Sequence, residues 1–140
     1  MSCSDEFDVL VVGGGPIGGI VAEGIARSHL STMILEEHKS IGQPEHCAGL
    51  ISLNGFHRLG ITPPKRLVLN GVRGATIFSP IGEKLTVERS SIQAYVVDRV
   101  SLDRYLVENA TRNRSELLLG TRAKSIRREP TGASVVIETR

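Results

Sequence analysis

The sequence predicts an α/β fold in which a parallel βαβ unit is followed by an inserted block of antiparallel strands. The first observation is the order of residues 7–35, where an apolar run leads into clustered glycines, a helical pattern and a second apolar run. The second is the segment 66–99, where short stretches rich in β-branched and aromatic residues alternate with turn-forming residues.

Each element of the βαβ unit has its own pattern. Residues 7–12 (FDVLVV) form a nearly continuous apolar run, which predicts a parallel strand buried on both faces. His29 stands where a glycine often ends the helix of such a unit. Residues 32–35 (TMIL) predict a second buried strand that ends on Glu36. One face of the intervening helix is marked by Ile17, Ile20, Val21, Gly24 and Ile25.

The glycines between the first strand and the helix fit G-x-G-x-x-G, the fingerprint of Rossmann-type dinucleotide binding. Gly13 permits a tight turn, Gly15 lets the backbone approach a pyrophosphate, and Gly18 lets the helix pack closely on the strand. Pro16 and Ile17 open the helix, whose unpaired N–H groups attract a diphosphate.

Glu36 supplies the acidic residue that the fingerprint requires, since a carboxylate at the end of the second strand can bond both ribose hydroxyls. A glycine turn without a ligand is the alternative, and the matching strand and helix disfavour it. A domain for NAD would continue with another helix and parallel strand soon after Glu36. This chain instead runs through a loop and a block of apparent antiparallel strands before it returns to a helix at Leu102. GGGPIG followed by Glu36 and Glu37 resembles the start of glutathione-reductase-type flavoproteins, so FAD is favoured.

The rest of the chain continues a single cofactor domain, 1–140, whose βαβ core is 6–37. Residues 38–60 predict a loop and a short helix that stops before Gly60. Residues 66–99 predict the strand block, with strands at 84–88 and 93–97. The turns of this block are predicted at Asn70-Gly71, Ser79-Pro80 and Ile81-Gly82.

Residues 101–140 predict a helix, a strand and a hairpin. Ser101 is the predicted cap of the helix, and residues 116–121 are the predicted strand. The hairpin turns at residues 130–132. Because the chain stops at Arg140 directly after a strand-like run, we expect it to be a piece of a larger protein.

Composition excludes several function classes. Aromatic residues make up 4% of the chain and Trp is absent, which disfavours a stacking platform for nucleic acid. The Arg-rich stretch 112–128 is interpreted as a solvated hairpin face. No apolar run has the length of a membrane span, and the acidic start lacks signal-peptide order, so a cytoplasmic location is expected. Cys3 and Cys47 predict no disulfide framework.

Three segments indicate a more specific family of flavoproteins. They are QPEHCAGLISL at 43–53, DVLVVGGGPIGG at 8–19 and VVDRVSLDRYLVENA at 96–110. Together they resemble the N-terminal portion of the geranylgeranyl reductase family, particularly its archaeal members, which are similar in fold to the aromatic hydroxylases. The resemblance implies an FAD-dependent enzyme that saturates isoprenoid double bonds of membrane-lipid precursors. It also implies an external electron donor, reduced nicotinamide or ferredoxin, and a substrate domain that is mostly absent here.

The resemblance implies roles for single residues around the cofactor. Glu36 would hold the adenosine ribose, and the backbone of Ala123 would lie against the adenine. Arg99 would reach the diphosphate or ribityl region, since its guanidinium is a forked donor to phosphate oxygens. The alternative for Arg99 is an ion pair with Asp98 or Asp103, and both interpretations stay open.

Cys47, Ala48 and Gly49 would lie beside the flavin ring. The thiol of Cys47 is the candidate catalytic group, which would shape the pocket or help to deliver a proton; the alternative is a small, half-buried packing residue. His46 and His57 are candidate proton donors by residue type alone. No metal is predicted, because His38, His46, Cys47 and His57 lack the usual ligand spacing.

Two other functions remain open. One is a related FAD-dependent monooxygenase, and the other is a dinucleotide-binding module without catalysis. The expected partners are a prenylated lipid and the electron donor, with no nucleic acid, and peripheral contact with a membrane is left open. The 140-residue chain alone is expected to be inactive.

Overall fold

The computed structural model describes residues 6–45 and 47–139. The chain divides into two compact units, one of Met1–Pro44 with Asp103–Arg140 and the other of Glu45–Leu102. None of the helices in the described ranges is both long and apolar enough to span a membrane.

Three helices and ten strands follow one another along the described chain. In order they are β1 (Val9–Val12), α1 (Pro16–Ala26), β2 (Thr32–Leu35), β3 (Leu50–Ser52), α2 (Leu53–Arg58), a 3-10 turn (Lys65–Leu67), β4 (Val68–Val72), β5 (Gly74–Phe78), β6 (Lys84–Glu88), β7 (Ala94–Val97), α3 (Arg99–Arg112), β8 (Glu116–Leu118), β9 (Thr121–Glu129) and β10 (Gly132–Thr139).

The first unit contains the predicted parallel βαβ arrangement. Its sheet has the order β1-β2-β8, and both pairs are parallel. The prediction that β1 is buried on both faces is wrong: Leu10 is 37% and Val12 54% exposed. Within the described ranges β1 pairs with β2 alone, so it is an edge strand and only its alternate residues, Val9 and Val11, are partly covered.

The buried face of α1 is made of small residues. Gly19, Ala22 and Ala26 are buried, whereas Ile17 is 68% exposed. The face predicted from the spacing of the larger apolar residues, which begins at Ile17, is therefore not the face that packs against the rest of the unit. The reason is close helix packing, because a Cβ atom at Gly19 would lie 3.0 Å from the backbone nitrogen of Val107 in α3. The core of the unit contains Ala22, Ile34, Ile41, Val107 and Ala110.

The chain leaves α1 through a left-handed residue that is not glycine. His29 has φ +62°, and its amide donates a 3.0 Å hydrogen bond to the carbonyl of Ala26. The sequence marked this position as one that favours glycine, and the backbone conformation explains why.

Helix α3 is capped by Asp98, so the prediction of Ser101 as the cap is wrong. The Asp98 carboxylate accepts hydrogen bonds from the amide of Ser101 at 2.9 Å and from its hydroxyl at 2.7 Å. A capping side chain bonds the N–H two or three residues into the helix, which is where Ser101 lies relative to a start at Arg99.

The second unit contains the predicted antiparallel strands. One sheet has the order β3-β7-β4, and β5 pairs with β6 in a separate hairpin. The predicted turn at Asn70-Gly71 is wrong, because both residues lie within β4 opposite Val96 and Tyr95. The register shifts between Val68 and Asn70, so these turn-forming residues accompany an irregularity in a strand.

The β5–β6 hairpin is open to solvent on both faces. Its turn runs from Ser79 to Glu83, as predicted, and the amide of Ser79 donates to the carbonyl of Glu83 at 2.8 Å. All ten strand residues are exposed, and Ile81 in the turn is 83% exposed. The opposed pairs Ala75–Val87 and Ile77–Leu85 give one face an apolar character.

The last hairpin of the first unit turns at Pro130 and Thr131, within the predicted range 130–132, and joins the antiparallel strands β9 and β10. The predicted strand 116–121 is interrupted: β8 ends at Leu118, and Thr121 already begins β9. Gly120, with φ +62°, allows this change of direction. Arg127 and Arg128 are exposed, as expected of a solvated hairpin face.

Candidate functional site

The glycine loop after β1 needs glycine at two positions for different reasons. Gly13 has φ +103°, and its amide donates a 2.8 Å hydrogen bond to the carbonyl of Leu35. A Cβ atom at Gly18 would lie 1.9 Å from the carbonyl oxygen of Gly13. Helix α1 can therefore start directly behind the loop only if residue 18 has no side chain.

Gly15 borders open space at the start of α1. It is the N-cap residue with an extended backbone, and a Cβ atom there would meet no atom of the described chain within 4 Å. Pro16 occupies the first turn, and α1, which is described throughout, has no acidic residue in that turn. The first turn of α1 therefore carries no negative side chain that would oppose an anion at its backbone N–H groups.

Glu36 is tied to the glycine loop through its carboxylate. Oε2 accepts a 2.7 Å hydrogen bond from the amide of Gly14. Oε1 accepts a 2.9 Å bond from the amide of His38 and lies 2.6 Å from Nδ1 of the same residue. The structure thus brings the glycine loop and the acidic residue together, as the fingerprint requires.

The same contacts keep Glu36 ionised. Burial alone would raise the pKa of this carboxyl group. The amides of His38 and Gly14, together with the His38 ring, outweigh burial and hold the pKa below its ordinary value. Glu36 is therefore a charged acceptor at neutral pH.

Strand β9 begins next to the end of β2 and brings two further candidates to the same place. The amide of Thr121 donates a 2.8 Å hydrogen bond to the carbonyl of Glu36. Glu37 pairs with Arg122, with 3.4 Å between Oε2 and Nε. Ala123 follows, partly buried, opposite Ile137 of β10.

The other four candidates belong to the second unit. Cys47 and Ala48 are exposed, so Cys47 is not the half-buried packing residue considered as an alternative. Gly49 is buried with φ +74°, and a Cβ atom there would lie 2.2 Å from the carbonyl oxygen of Val97. Gly49 is thus required for the approach of β7, a role that the sequence did not reveal. Arg99 is the first residue of α3.

His57, a candidate proton donor, lies on α2 at the wall of a cavity of about 380 Å³, together with Phe56, Lys65 and Tyr95. Cys3 and His46 fall outside the described residues.

Two residues of the site were missed from the sequence. Gly14 lies between the fingerprint glycines, and a Cβ atom there would approach Cδ1 of Ile41 to 2.7 Å and Cβ of Glu36 to 3.2 Å. His38 was considered only as a metal ligand, yet it contacts Glu36 with both its backbone and its ring. The sequence signal that could have identified His38 is its position two residues after Glu36, in the turn that follows β2.

No family model matches the chain. Curated proteins, in contrast, match it over most of its length. The chain is 33% identical over 135 residues to the digeranylgeranylglycerophospholipid reductase of Methanocaldococcus jannaschii, covering 96% of this chain and 34% of that reductase. It is 30% identical to reductase 1 of the same name from Methanosphaera stadtmanae, covering 91% of this chain and 32% of that reductase.

Two solved structures superpose on most of this chain. The geranylgeranyl bacteriochlorophyll reductase-like protein of Thermoplasma acidophilum superposes with a TM-score of 0.86 at 26% identity, over 94% of this chain and 34% of that one. The myxobacterial chondrochloren halogenase, described as FAD-dependent, superposes with a TM-score of 0.73 at 21% identity, over 95% of this chain and 33% of that one. The second likeness shows the fold alone.

The chain spans about a third of the length of the curated relatives that it matches, which fits the expected N-terminal portion. The predicted α/β flavoprotein fold with its inserted antiparallel strands is confirmed. By its sequence and its fold, this chain belongs to the geranylgeranyl reductase family.

Proposed function

We propose that this chain is the cofactor-binding part of an FAD-dependent oxidoreductase that saturates double bonds of geranylgeranyl chains on membrane-lipid precursors. The observation that carries the proposal is the junction of the glycine loop with Glu36, in a chain similar to named digeranylgeranylglycerophospholipid reductases. The substrate class comes from those relatives, and the cofactor class comes from the site and from flavoproteins of the same fold.

The residues of the first unit fit the ADP half of FAD. The open space beside Gly15 accepts the diphosphate, at the positive end of the α1 dipole. Glu36 is an ionised acceptor for ribose hydroxyls, and the backbone of Ala123 is proposed to lie against the adenine. Gly13 and Gly18 keep the loop and the helix together. Pro16, Ile17 and Glu37 complete this half of the proposed site.

The residues of the second unit are proposed for the other half of the cofactor. Arg99 would bind the diphosphate or ribityl region as a forked donor. Cys47, Ala48 and Gly49 would lie next to the isoalloxazine, with the exposed thiol of Cys47 as the candidate group at the reacting alkene. Reduced FAD, when bound, supplies the hydride equivalent for saturation of the double bond.

The proposal extends to partners and location. The substrate is a prenylated lipid precursor, and an external donor, reduced nicotinamide or ferredoxin, supplies the electrons. Because that substrate is a membrane lipid, we propose a cytoplasmic enzyme with peripheral contact to the membrane surface.

The cofactor is tested by titrating FAD into the chain and comparing Gly15→Val with Gly24→Val. A Cβ atom at either position would meet no atom of the described chain within 4 Å, so we expect both variants to fold. We expect Gly15→Val to weaken FAD binding on the order of 100-fold, about 2.8 kcal/mol, and Gly24→Val to bind like the unsubstituted chain. Binding of NAD in place of FAD would overturn the cofactor assignment.

The reaction is tested on the full gene product under anaerobic conditions, with a chemical reductant and a geranylgeranyl lipid. The expected result is a product with two added hydrogens for each saturated double bond, detected by mass spectrometry. Hydroxylation of the lipid that requires oxygen would identify the monooxygenase instead.

A further inference from the structure

The acceptor positions of the Glu36 carboxylate are almost filled by groups of the chain itself. An ionised carboxylate offers about four such positions, two on each oxygen, and can only accept hydrogen bonds. Oε1 takes the His38 amide at 2.9 Å and the His38 ring nitrogen Nδ1 at 2.6 Å. Oε2 takes the Gly14 amide at 2.7 Å. One position remains.

A ribose presents two adjacent hydroxyls, so binding both of them requires two positions on the carboxylate. One of the three present donors must therefore leave when the adenosine ribose binds. The competition is between a ligand hydroxyl and a group of the protein for the same oxygen atom.

Two of the three donors are fixed backbone groups. Gly14 is wedged between Glu36 and Ile41, where even a Cβ atom would not fit. The backbone of His38 is also held at its carbonyl, which accepts a 2.9 Å hydrogen bond from the amide of Gly120. The ring of His38 differs, since it turns about side-chain bonds alone and its side chain is 46% exposed, compared with 12% for Glu36.

We propose that the imidazole of His38 occupies the position of a ribose hydroxyl on Glu36 in the unbound chain, and swings away when the adenosine ribose binds. His38 is then a residue that sets nucleotide affinity by competition. The inference rests on the proposed function, because it assumes that Glu36 is the ribose acceptor.

The test is the affinity of the chain for ADP and for 2′,3′-dideoxy-ADP, measured by isothermal titration calorimetry in three forms. Removal of the competing ring in His38→Ala should tighten ADP binding about fivefold, in the range expected for one hydrogen bond. His38→Asn keeps a donor at the place of Nδ1 and should bind ADP like the unsubstituted chain.

The dideoxy ligand distinguishes competition from a structural effect. It has no hydroxyl for Glu36, so the His38 ring does not need to move and the three forms should bind it equally. If His38→Ala binds ADP more weakly or with unchanged affinity, or if both ligands change by the same factor, the inference is overturned.

The same experiment separates this inference from the proposed function. An unsubstituted chain that binds neither ADP nor FAD defeats the proposed function and the inference with it. A chain that binds both, and loses affinity in Glu36→Ala while His38→Ala leaves it unchanged, defeats the inference alone.

Discussion

A Cβ atom on Gly18 would lie 1.9 Å from the carbonyl oxygen of Gly13, far inside any real contact. The glycine loop and helix α1 can meet only because residue 18 is a glycine. We expect Gly18→Ala to lower the free energy of unfolding by about 3 kcal/mol, the upper range for forcing atoms into a packed site. Urea denaturation measures the change.

Gly24→Ala is the matched control for that prediction, because Gly24 lies in the same helix and a Cβ atom there would meet nothing within 4 Å. Alanine is the better helix former, so the variant should be more stable by up to about 1 kcal/mol. Equal losses in the two variants would show that the contact with Gly13 does not explain the result.

Substitutions at Gly49 and Gly60 distinguish the cost of backbone strain from the cost of steric contact. Both have left-handed φ values, +74° and +65°, but only at Gly49 would a Cβ atom meet a neighbour, the Val97 carbonyl at 2.2 Å. We expect Gly60→Ala to cost about 1 kcal/mol and Gly49→Ala about 3 kcal/mol of unfolding free energy. Thermal unfolding of the two variants checks the order, and a smaller loss at Gly49 would contradict the close approach of β7.

His29 offers a gain in stability. Its φ of +62° is strained for a side chain with a Cβ atom, and glycine removes the strain. His29→Gly should raise the free energy of unfolding by about 1 kcal/mol. Ser28→Gly at the preceding position, whose φ is not left-handed, should be neutral or destabilising. The idea fails if both variants shift the midpoint of urea denaturation in the same direction.

The lowered pKa of Glu36 predicts a dependence of stability on pH. Because the folded pKa lies below the unfolded value, near 4.5, the ionised carboxylate stabilises the fold above that pH. This contribution is lost as the pH falls through the folded pKa. We expect the difference in unfolding free energy between the unsubstituted chain and Glu36→Gln to shrink between pH 6 and pH 3. A difference that stays constant over this range would mean that the contacts of Glu36 do not favour its charged form.

Local spacing was enough to predict the parts of the site that lie close together in sequence. Gly13, Gly15 and Gly18 stand within one turn and one helix start, and Glu36 follows at the distance set by a single helix and strand. The geometry of a βαβ unit leaves little freedom at these positions, so the residues alone indicated the fold and the loop.

Features that depend on packing between distant segments were not predictable in the same way. The buried face of α1 is set by α3, some 85 residues later, and follows the small residues Gly19 and Ala22 in place of the larger apolar ones. Strand β3 has three residues and exists through its pairing with β7. The position of His38 two residues after Glu36 is visible in the sequence, but the contact of its ring with Glu36 depends on a side-chain conformation that no spacing rule encodes.

The exposure of the β5–β6 hairpin determines how readily its backbone hydrogen bonds open. All ten of its strand residues are exposed, and a two-stranded hairpin without a covering layer is only marginally stable. We expect its amides to exchange with deuterium much faster than those of Ile34 and Leu35, which are buried in β2. Equal protection of both segments would contradict this. In a mild protease digest, the first cut should then fall in the turn between Ser79 and Glu83, while the parallel sheet remains folded.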